Sequence, residues 1–109
     1  MLIRERCVAL AHAVEEFPFG PDTRVFKVGG KIFAILGDAL SLKCEPELAE
    51  SLRAAHPAIG PGYHLNKRHW NTLTLDGSLE ERLVGELVED SYDLVVASLT
   101  RKQRTELAG

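Results

Sequence analysis

The sequence predicts one small α+β domain in which helices pack on one face of an antiparallel sheet. The chain has 109 residues, of which 45% are hydrophobic and 27% are charged, a balance typical of a globular domain with one core. Some segments have apolar residues at helical spacing. Between them lie short segments in which apolar and polar residues alternate, as in strands, and which end at glycine-containing turns. The expected order is helix, hairpin, third strand, short helix, hairpin and long helix, with residues 1–109 forming a single domain.

The chain begins with an expected amphipathic helix. Ile3, Cys7, Leu10 and Val14 recur at helical spacing, with mostly charged residues on the other side. Residues 17–22 contain two prolines and a glycine, which end the helix. We expect the two phenylalanines of that run to fill part of the core.

A β-hairpin is predicted next. Its strands are residues 25–28 and 31–36, and Gly29-Gly30 between them forms a two-residue turn that tolerates positive φ.

A third strand is predicted over residues 39–44. Leu40, Leu42 and Cys44 alternate there with polar side chains. Because strand side chains point alternately to the two faces of a sheet, Lys43 should point away from the core.

A second helix is predicted from Pro46, because proline suits the first helical turn. Its expected apolar face consists of Leu48, Ala49, Leu52 and Ala55. His56-Pro57 ends this helix, and the Pro/Gly-rich residues 57–62 are predicted to form a loop.

Residues 63–77 contain the only Trp, two of the four histidines and a basic pair. We predict a short strand at residues 63–64, a turn around residues 66–67 and a strand from about residue 69 to residue 75. Alternation then places Leu73 and Leu75 in the core. The side chains on the opposite face would be Trp70, Thr72 and Thr74.

A long helix should follow, with Ser78 and Glu81 as a capping box. Its buried side is predicted to consist of Leu79, Leu83, Val84, Leu87, Val88, Tyr92, Val95 and Val96. Thr100 and Gln103 repeat the capping pattern ahead of a final helix over residues 101–107.

The composition limits the class of function. A net charge of −3 argues against a surface built wholly for polyanions, so any nucleic-acid contact must be local.

Cys7 and Cys44 lie in apolar surroundings and are expected to be reduced core thiols, which favours a cytoplasmic protein. Charged residues interrupt the N-terminus, and no run of about 18 apolar residues occurs, so neither secretion nor a membrane span is expected.

Several short runs resemble the MmcQ/YjbR family, over nearly the whole chain and most densely between Lys43 and Tyr92. The runs are Ser41-Leu42-Lys43, Pro46-Glu47-Leu48-Ala49, Leu52-Arg53, Pro57, His64-Leu65-Asn66-Lys67-Arg68-His69-Trp70, Leu75-Asp76-Gly77-Ser78-Leu79 and Ser91-Tyr92. The resemblance implies a fold similar to bacterial frataxin. It also implies a DNA-binding role.

These considerations give one candidate nucleic-acid site. Its residues are Lys43, His64, Asn66, Lys67, Arg68, His69 and Trp70. On an open sheet face, Trp70 with Lys43, Ser41 and Lys27 would combine an aromatic platform with cations, which suits a stacked base and a phosphate. The alternative is that Trp70 fills the end of the sheet and Lys43 is a solvated strand residue.

Three further interpretations of polar residues are open. The cations of residues 66–68 could touch a phosphate backbone or simply be solvated at a hairpin tip. His64 and His69 could face each other, but no third metal ligand stands at a diagnostic spacing, so a hydrogen-bonding role and no metal are expected. The acidic residues of the long helix are predicted to form a solvated face, with cation binding as the weaker alternative.

No nucleophile with a base, carboxylate pair or phosphate-binding glycine loop is recognisable, so we expect a non-enzymatic protein without a cofactor. The leading hypothesis is nucleic-acid binding through the candidate site. The alternative is a module that binds a protein or a small ligand on the sheet face around Trp70.

Overall fold

The structure, a computed structural model, describes residues 2–108 and the side chains as far as Leu107. It contains six strands, which are β1 (Val14–Glu16), β2 (Arg24–Val28), β3 (Lys31–Leu36), β4 (Ala39–Lys43), β5 (Ile59–Pro61) and β6 (Trp70–Thr74). All neighbouring strands are antiparallel, in the spatial order β1-β2-β3-β4-β6-β5. The helices are α1 (Ile3–Val8), α2 (Pro46–Ala55), α3 (Glu81–Ser98) and α4 (Arg101–Ala108). The predicted α+β class is confirmed.

The core lies between one face of the sheet and α3. The sheet contributes Phe26, Phe33, Leu40, Leu42 and Leu73, and α3 contributes Val84, Leu87, Val88 and Val95. Burying one such side chain is worth roughly 1.5–3 kcal/mol, so this layer is the main source of stability. The other sheet face has no helix on it within residues 2–108, and the candidate site lies there.

The β2–β3 hairpin is as predicted. Gly29 and Gly30 both have positive φ, at 59° and 80°, a conformation that favours glycine. A Cβ on Gly29 would lie 2.8 Å from the side chain of Leu99. The turn therefore needs glycine for its backbone and for the close approach of the α3–α4 corner.

A β-bulge at Phe33 gives Ser91 a structural role. The β2–β3 register pairs Phe26 with Ala34 and Lys27 with Ile32, which leaves Phe33 outside the ladder. The buried Ser91 hydroxyl donates to the Phe33 carbonyl at 2.5 Å and accepts from the Lys43 amide at 2.8 Å. One α3 side chain thus joins β3 to β4 where they separate.

The N-terminal prediction is wrong beyond residue 8. α1 ends at Val8, His12 has a φ of 63° that interrupts any helix, and Val14 begins an edge strand instead. The Glu15 carboxylate, in β1, accepts hydrogen bonds from Arg4 and Arg24, and the bond from Arg4 is the main reason that its pKa is lowered.

The two phenylalanines after β1 are not core residues. Phe17 is 44% exposed and Phe19 is 67% exposed, because the β1–β2 loop runs over the open sheet face rather than into the core. The Phe17 ring lies 5.2 Å from the Arg24 guanidinium carbon, a cation–π contact.

The second hairpin exists, but its first strand is not at residues 63–64. β5 is Ile59–Pro61, in the segment predicted as a loop, and residues 62–69 form the connection to β6. β6 ends at Thr74, so Leu73 is buried while Leu75 is 38% exposed and is not a core residue. The alternation of side chains along the strand indicated the correct face for Leu73, but it could not indicate the residue at which the strand ends.

Helix α3 begins at Glu81, after Glu80 as its N-cap residue, and not at the predicted Ser78 capping box. The Ser78 hydroxyl and amide both donate to Asp76 Oδ1, at 2.6 and 3.0 Å, so Ser78 closes a turn. The Thr100–Gln103 box is confirmed, because each side chain accepts from the other residue's amide.

Helix α2 spans the predicted residues, but only part of its predicted face is buried. Ala49 is fully buried and Leu52 packs against the core, whereas Leu48 and Ala55 are exposed.

Cys7 and Cys44 are free and buried, as predicted. Burial raises the pKa of Cys7 to about 12, which makes it a poor nucleophile. Within residues 2–108, no helix has the length and apolar character to cross a membrane.

Candidate nucleic-acid interface

The connection between β5 and β6, residues 62–69, lies at the edge of the open sheet face; we call it the β5–β6 loop. Its first residue is fixed by close packing. The Gly62 amide donates to the Trp70 carbonyl at 2.9 Å, and a Cβ on Gly62 would lie 2.7 Å from Trp70 Cβ. The next amide, of Tyr63, donates to Thr72 Oγ1 at 3.0 Å. The loop therefore folds back on β6.

Arg53 of α2 holds the loop from the core side. Its Nε donates to Asn71 Oδ1 at 2.7 Å, and its Nη2 donates to the carbonyls of Trp70, at 3.1 Å, and of Lys67. Asn71 is 2% exposed and donates in turn to the Ala49 carbonyl. Arg53 is thus a structural clamp.

No role was predicted for Arg53 or Asn71, although Leu52-Arg53 is one of the runs that resemble the family. The contacts of Arg53 join residues 14–18 positions apart. That separation corresponds to no helix or hairpin spacing that sequence reasoning could have used.

Asn66 has a structural role as well. Its Oδ1 accepts hydrogen bonds from the amides of Arg68 at 2.9 Å and His69 at 3.2 Å, which is an Asx-type turn. This closes the loop and directs the next two side chains outward.

Lys67 and Arg68 are exposed and have no ion pair within residues 2–108. Lys43 of β4 is half-buried, has no ion pair within the same residues, and lies opposite Trp70 in the strand register. These three residues form what we call the free cation group. By contrast, Arg4, Arg6, Arg24, Lys27 and Arg82 pair with glutamates. Two other basic residues near the sheet use their charge on carbonyl groups instead: Lys31 of β3 donates to Ser98 of α3, and Arg53 donates to the β5–β6 loop and to Trp70.

Lys27, which the sequence grouped with Lys43 and Trp70 on an open sheet face, is not a free cation. Its Nζ lies 2.9 Å from Glu16 Oε1, so its charge is offset by a residue of β1. Trp70 is half-buried and, as predicted, lies on the face opposite Leu73. The free cation group and Trp70 therefore share one end of the sheet.

The two histidines differ in their surroundings. His64 is exposed, has a φ of 58°, and its ring centroid is 4.0 Å from that of Tyr63. His69 is half-buried, and its carbonyl accepts from the Cys44 amide at 2.8 Å. Among residues 2–108, no three His, Cys, Asp or Glu side chains form a group able to hold a metal ion.

A groove of about 670 Å³ runs across the open face between the β1–β2 loop and the β5–β6 loop; we call it the sheet groove. Phe19 lies on one wall and Tyr63 on the other. Ser41 and Thr72 on its floor share a hydrogen bond of 2.9 Å between their hydroxyls. Sequence reasoning missed this groove, because it placed both phenylalanines in the core and Tyr63 in a strand.

The opposite side of the molecule is acidic. Helix α3 exposes Glu86, Glu89, Asp90 and Asp93 there. Partial burial and repulsion by the other three carboxylates raise the pKa of Asp90. A polyanion would be repelled from this side and would meet the free cation group on the other.

Comparison with known proteins places the chain in a family. The family model described as YjbR matches residues 8–94. The Escherichia coli O157:H7 protein named uncharacterized protein YbdF is 37% identical over 93 residues, covering 81% of this chain and 76% of that protein. Uncharacterized protein YjbR of Escherichia coli K12 is 43% identical over 83 residues, covering 72% and 70%.

A solved structure agrees with the sequence matches. The crystal structure of a Deinococcus radiodurans protein superposes with a TM-score of 0.90 at 46% identity, covering 97% of this chain and 85% of that one. The names of these relatives state no activity. The resemblance noted in the sequence is confirmed, and the chain belongs to the YjbR family.

Proposed function

We propose that the protein is a non-enzymatic cytoplasmic protein that binds nucleic acid with the open face of its sheet. The observation that carries the proposal is the free cation group. Lys43, Lys67 and Arg68 lie at the same end of the sheet as Trp70, and within residues 2–108 none of the three is neutralised by an acidic partner. Phosphates are the ligands that such a group would attract.

The role of each candidate residue follows from its contacts. Lys67 and Arg68 contact phosphates, and Lys43 contributes a third positive charge beside Trp70. Asn66 and His69 position the loop, because Asn66 Oδ1 is already bonded to backbone amides and the His69 carbonyl to the Cys44 amide, just after β4. His64, whose ring is tilted by 54° against that of Tyr63, faces solvent and is available to a ligand.

Three phosphate contacts would give modest, salt-sensitive affinity. The acidic surface of α3 orients the polyanion by repelling it from the opposite side. The net charge of −3 is compatible with this mode of binding, because the contact is local.

The test compares two double variants with the same change in charge. Lys67→Ala/Arg68→Ala removes two members of the free cation group. Arg101→Ala/Lys102→Ala removes two exposed cations of α4 that also have no ion pair within residues 2–108. Binding of a fluorescent oligonucleotide is measured by anisotropy across a salt series.

We expect the loop variant to bind the oligonucleotide at least roughly tenfold more weakly than the wild type. The slope of log K against log salt should become less steep, by about 1.4–2 in magnitude. The α4 variant should bind nearly as tightly as the wild type. Equal losses in the two variants would mean that only overall charge matters, and the proposed site would be rejected.

The sheet groove supports a second candidate function, in which the protein binds a protein segment or a small ligand without nucleic acid. Its apolar walls and hydroxyl-bearing floor are typical of ligand sites. Titration with a metabolite pool, followed by the thermal midpoint, separates the two. A stabilising metabolite together with no oligonucleotide binding would favour this candidate.

The proposal extends to compartment and to wider fold relations. Two free, buried cysteines support a reducing compartment such as the cytoplasm. An antiparallel sheet with helices on one face supports the relation to bacterial frataxin that the family resemblance implies.

A further inference from the structure

The sheet groove has the chemistry of a site for a planar heterocycle. The side chains of Phe19 and Tyr63, on its two walls, are 67% and 73% exposed. Exposed aromatic rings on loops gain stability when they stack on another ring. Neither ring belongs to the core, so both are available for such a contact.

The floor offers hydrogen-bonding groups between apolar surfaces. The hydroxyls of Ser41 and Thr72 are bonded to each other, and Thr72 Oγ1 also accepts from the Tyr63 amide, so the pair keeps one O–H to donate and further acceptor capacity. Asp38 adds a carboxylate, and Ile35 and Ala39 provide apolar contact. A ligand with ring faces and a polar edge matches this arrangement. The volume of about 670 Å³ lies within the range of roughly 300–1,000 Å³ typical of ligand sites.

Charge complementarity identifies the occupant. The β5–β6 loop that forms one wall through Tyr63 and His64 also presents Lys67 and Arg68 outside the groove. A base inside the groove would therefore have its phosphate backbone near two free cations. Arg in particular matches the geometry of a phosphate group.

We propose that the sheet groove takes an unpaired base of a single-stranded nucleic acid, stacked by Tyr63 and Phe19. A base in a duplex is stacked on both sides and must leave the helix to enter such a groove. The protein should therefore prefer single strands to duplexes. This inference rests on the proposed function and adds the form of nucleic acid that is bound.

The experiment uses the full chain with a labelled oligothymidine of about 12 nucleotides, a length within the site sizes of small single-strand-binding folds. The same oligomer is also annealed to its complement. The variants are Tyr63→Ala, Phe19→Ala and Tyr63→Phe. Phe17→Ala is the matched control, because Phe17 is an exposed ring of the same β1–β2 loop that contacts Arg24 and does not line the groove.

We expect Tyr63→Ala and Phe19→Ala each to weaken single-strand binding roughly tenfold, the scale of one lost base stack. Duplex binding should be nearly unchanged in both variants. Tyr63→Phe and Phe17→Ala should bind like the wild type. Circular dichroism of each variant confirms that it is folded.

Two outcomes would overturn the inference. In the first, neither Tyr63→Ala nor Phe19→Ala affects single-strand binding, while Lys67→Ala/Arg68→Ala still weakens it; the phosphate contacts then stand and the base site does not. In the second, thymidine monophosphate binds as tightly as the oligomer, which would make the ligand a free nucleotide. Loss of the proposed function itself would appear differently, as no oligonucleotide binding by the wild type.

Discussion

The side chains of the β5–β6 loop and its neighbours fall into two sets that the sequence does not separate. Asn66 and Asn71 use their amide groups to bond backbone or Arg53, and so build the loop. Lys67 and Arg68, between them in the chain, have no ion pair within residues 2–108 and face solvent. The two amide side chains of this stretch therefore maintain its shape, and its two cations remain available to a ligand.

Helix α3 repeats the contrast at two adjacent positions. Ser91 is fully buried and links the backbones of β3 and β4, whereas Asp90 is exposed among other acids. The comparison predicts that substitutions of inward-bonding residues change stability strongly. Substitutions of outward residues should change binding or cause only small electrostatic effects.

Ser91→Ala should cause the largest loss of stability. It leaves the Phe33 carbonyl and the Lys43 amide without the hydrogen bonds that the hydroxyl provides, in a site that water does not reach easily. We expect the free energy of unfolding to fall by about 3 kcal/mol, since each unpaired buried group costs roughly 1–3 kcal/mol. Urea denaturation followed by far-UV circular dichroism measures it.

The control for Ser91→Ala is Ser51→Ala. The Ser51 hydroxyl is on an exposed face of α2 and bonds to the Glu47 carbonyl, and alanine favours a helix at such a position. We expect a change within about 0.5 kcal/mol. If the two variants lost similar amounts, the link between β3 and β4 would have no special role.

Arg53→Met should have the next largest effect, a loss of about 2 kcal/mol. Methionine retains an apolar stem but leaves Asn71 Oδ1 and the Trp70 carbonyl without their donor. Amide hydrogen exchange should become faster in residues 62–69 than elsewhere, because the clamp is released. Unchanged exchange in that loop would contradict the role assigned to Arg53.

Arg82→Met is the control for Arg53→Met. Arg82 is 87% exposed and forms an i,i+4 pair with Glu86. Such pairs contribute about 0.3–0.5 kcal/mol, so the variant should be nearly as stable as the wild type. The pair of measurements separates the loss of a clamp from the loss of a positive charge.

Sequence reasoning identified the fold class because its signals are local and periodic. The β2–β3 turn, the long helix and the box at Thr100 and Gln103 each depend on residues within a few positions of one another. It failed where a local pattern was equally compatible with two structures. Val14 fits the helical spacing of Ile3 and Cys7 and also fits an edge strand, and pairing with β2 determined the outcome.

The candidate site could be predicted in part for the same reason. Lys43, Lys67, Arg68 and Trp70 were identified by residue type, and strand alternation gave the face of two of them. The sheet groove could not be predicted, because it depends on two loops meeting across the sheet. Whether Asn66 binds a ligand or its own backbone is likewise decided by loop geometry that no spacing rule encodes.

The smallest expected effect concerns Asp90, the outward neighbour of Ser91. Partial burial and the charges of Asp93, Glu86 and Glu89 raise the pKa of Asp90 in the folded protein. Its ionised form is therefore less favourable in the folded state than in the unfolded one, and ionisation above the unfolded pKa destabilises the protein. Asp90→Asn should raise the free energy of unfolding at pH 7 by roughly 0.2–0.5 kcal/mol, the scale of one like-charge helical contact.

The gain from Asp90→Asn should disappear below the unfolded pKa of aspartate, about 3.9, where the wild-type carboxyl is protonated in both states. Urea denaturation at pH 7 and at pH 3 measures the difference. Glu47→Gln is the control, because Glu47 is an exposed acid in the first turn of α2, where a negative charge is favourable. This variant should lose stability at pH 7, so a gain of equal size would indicate a general effect of net charge.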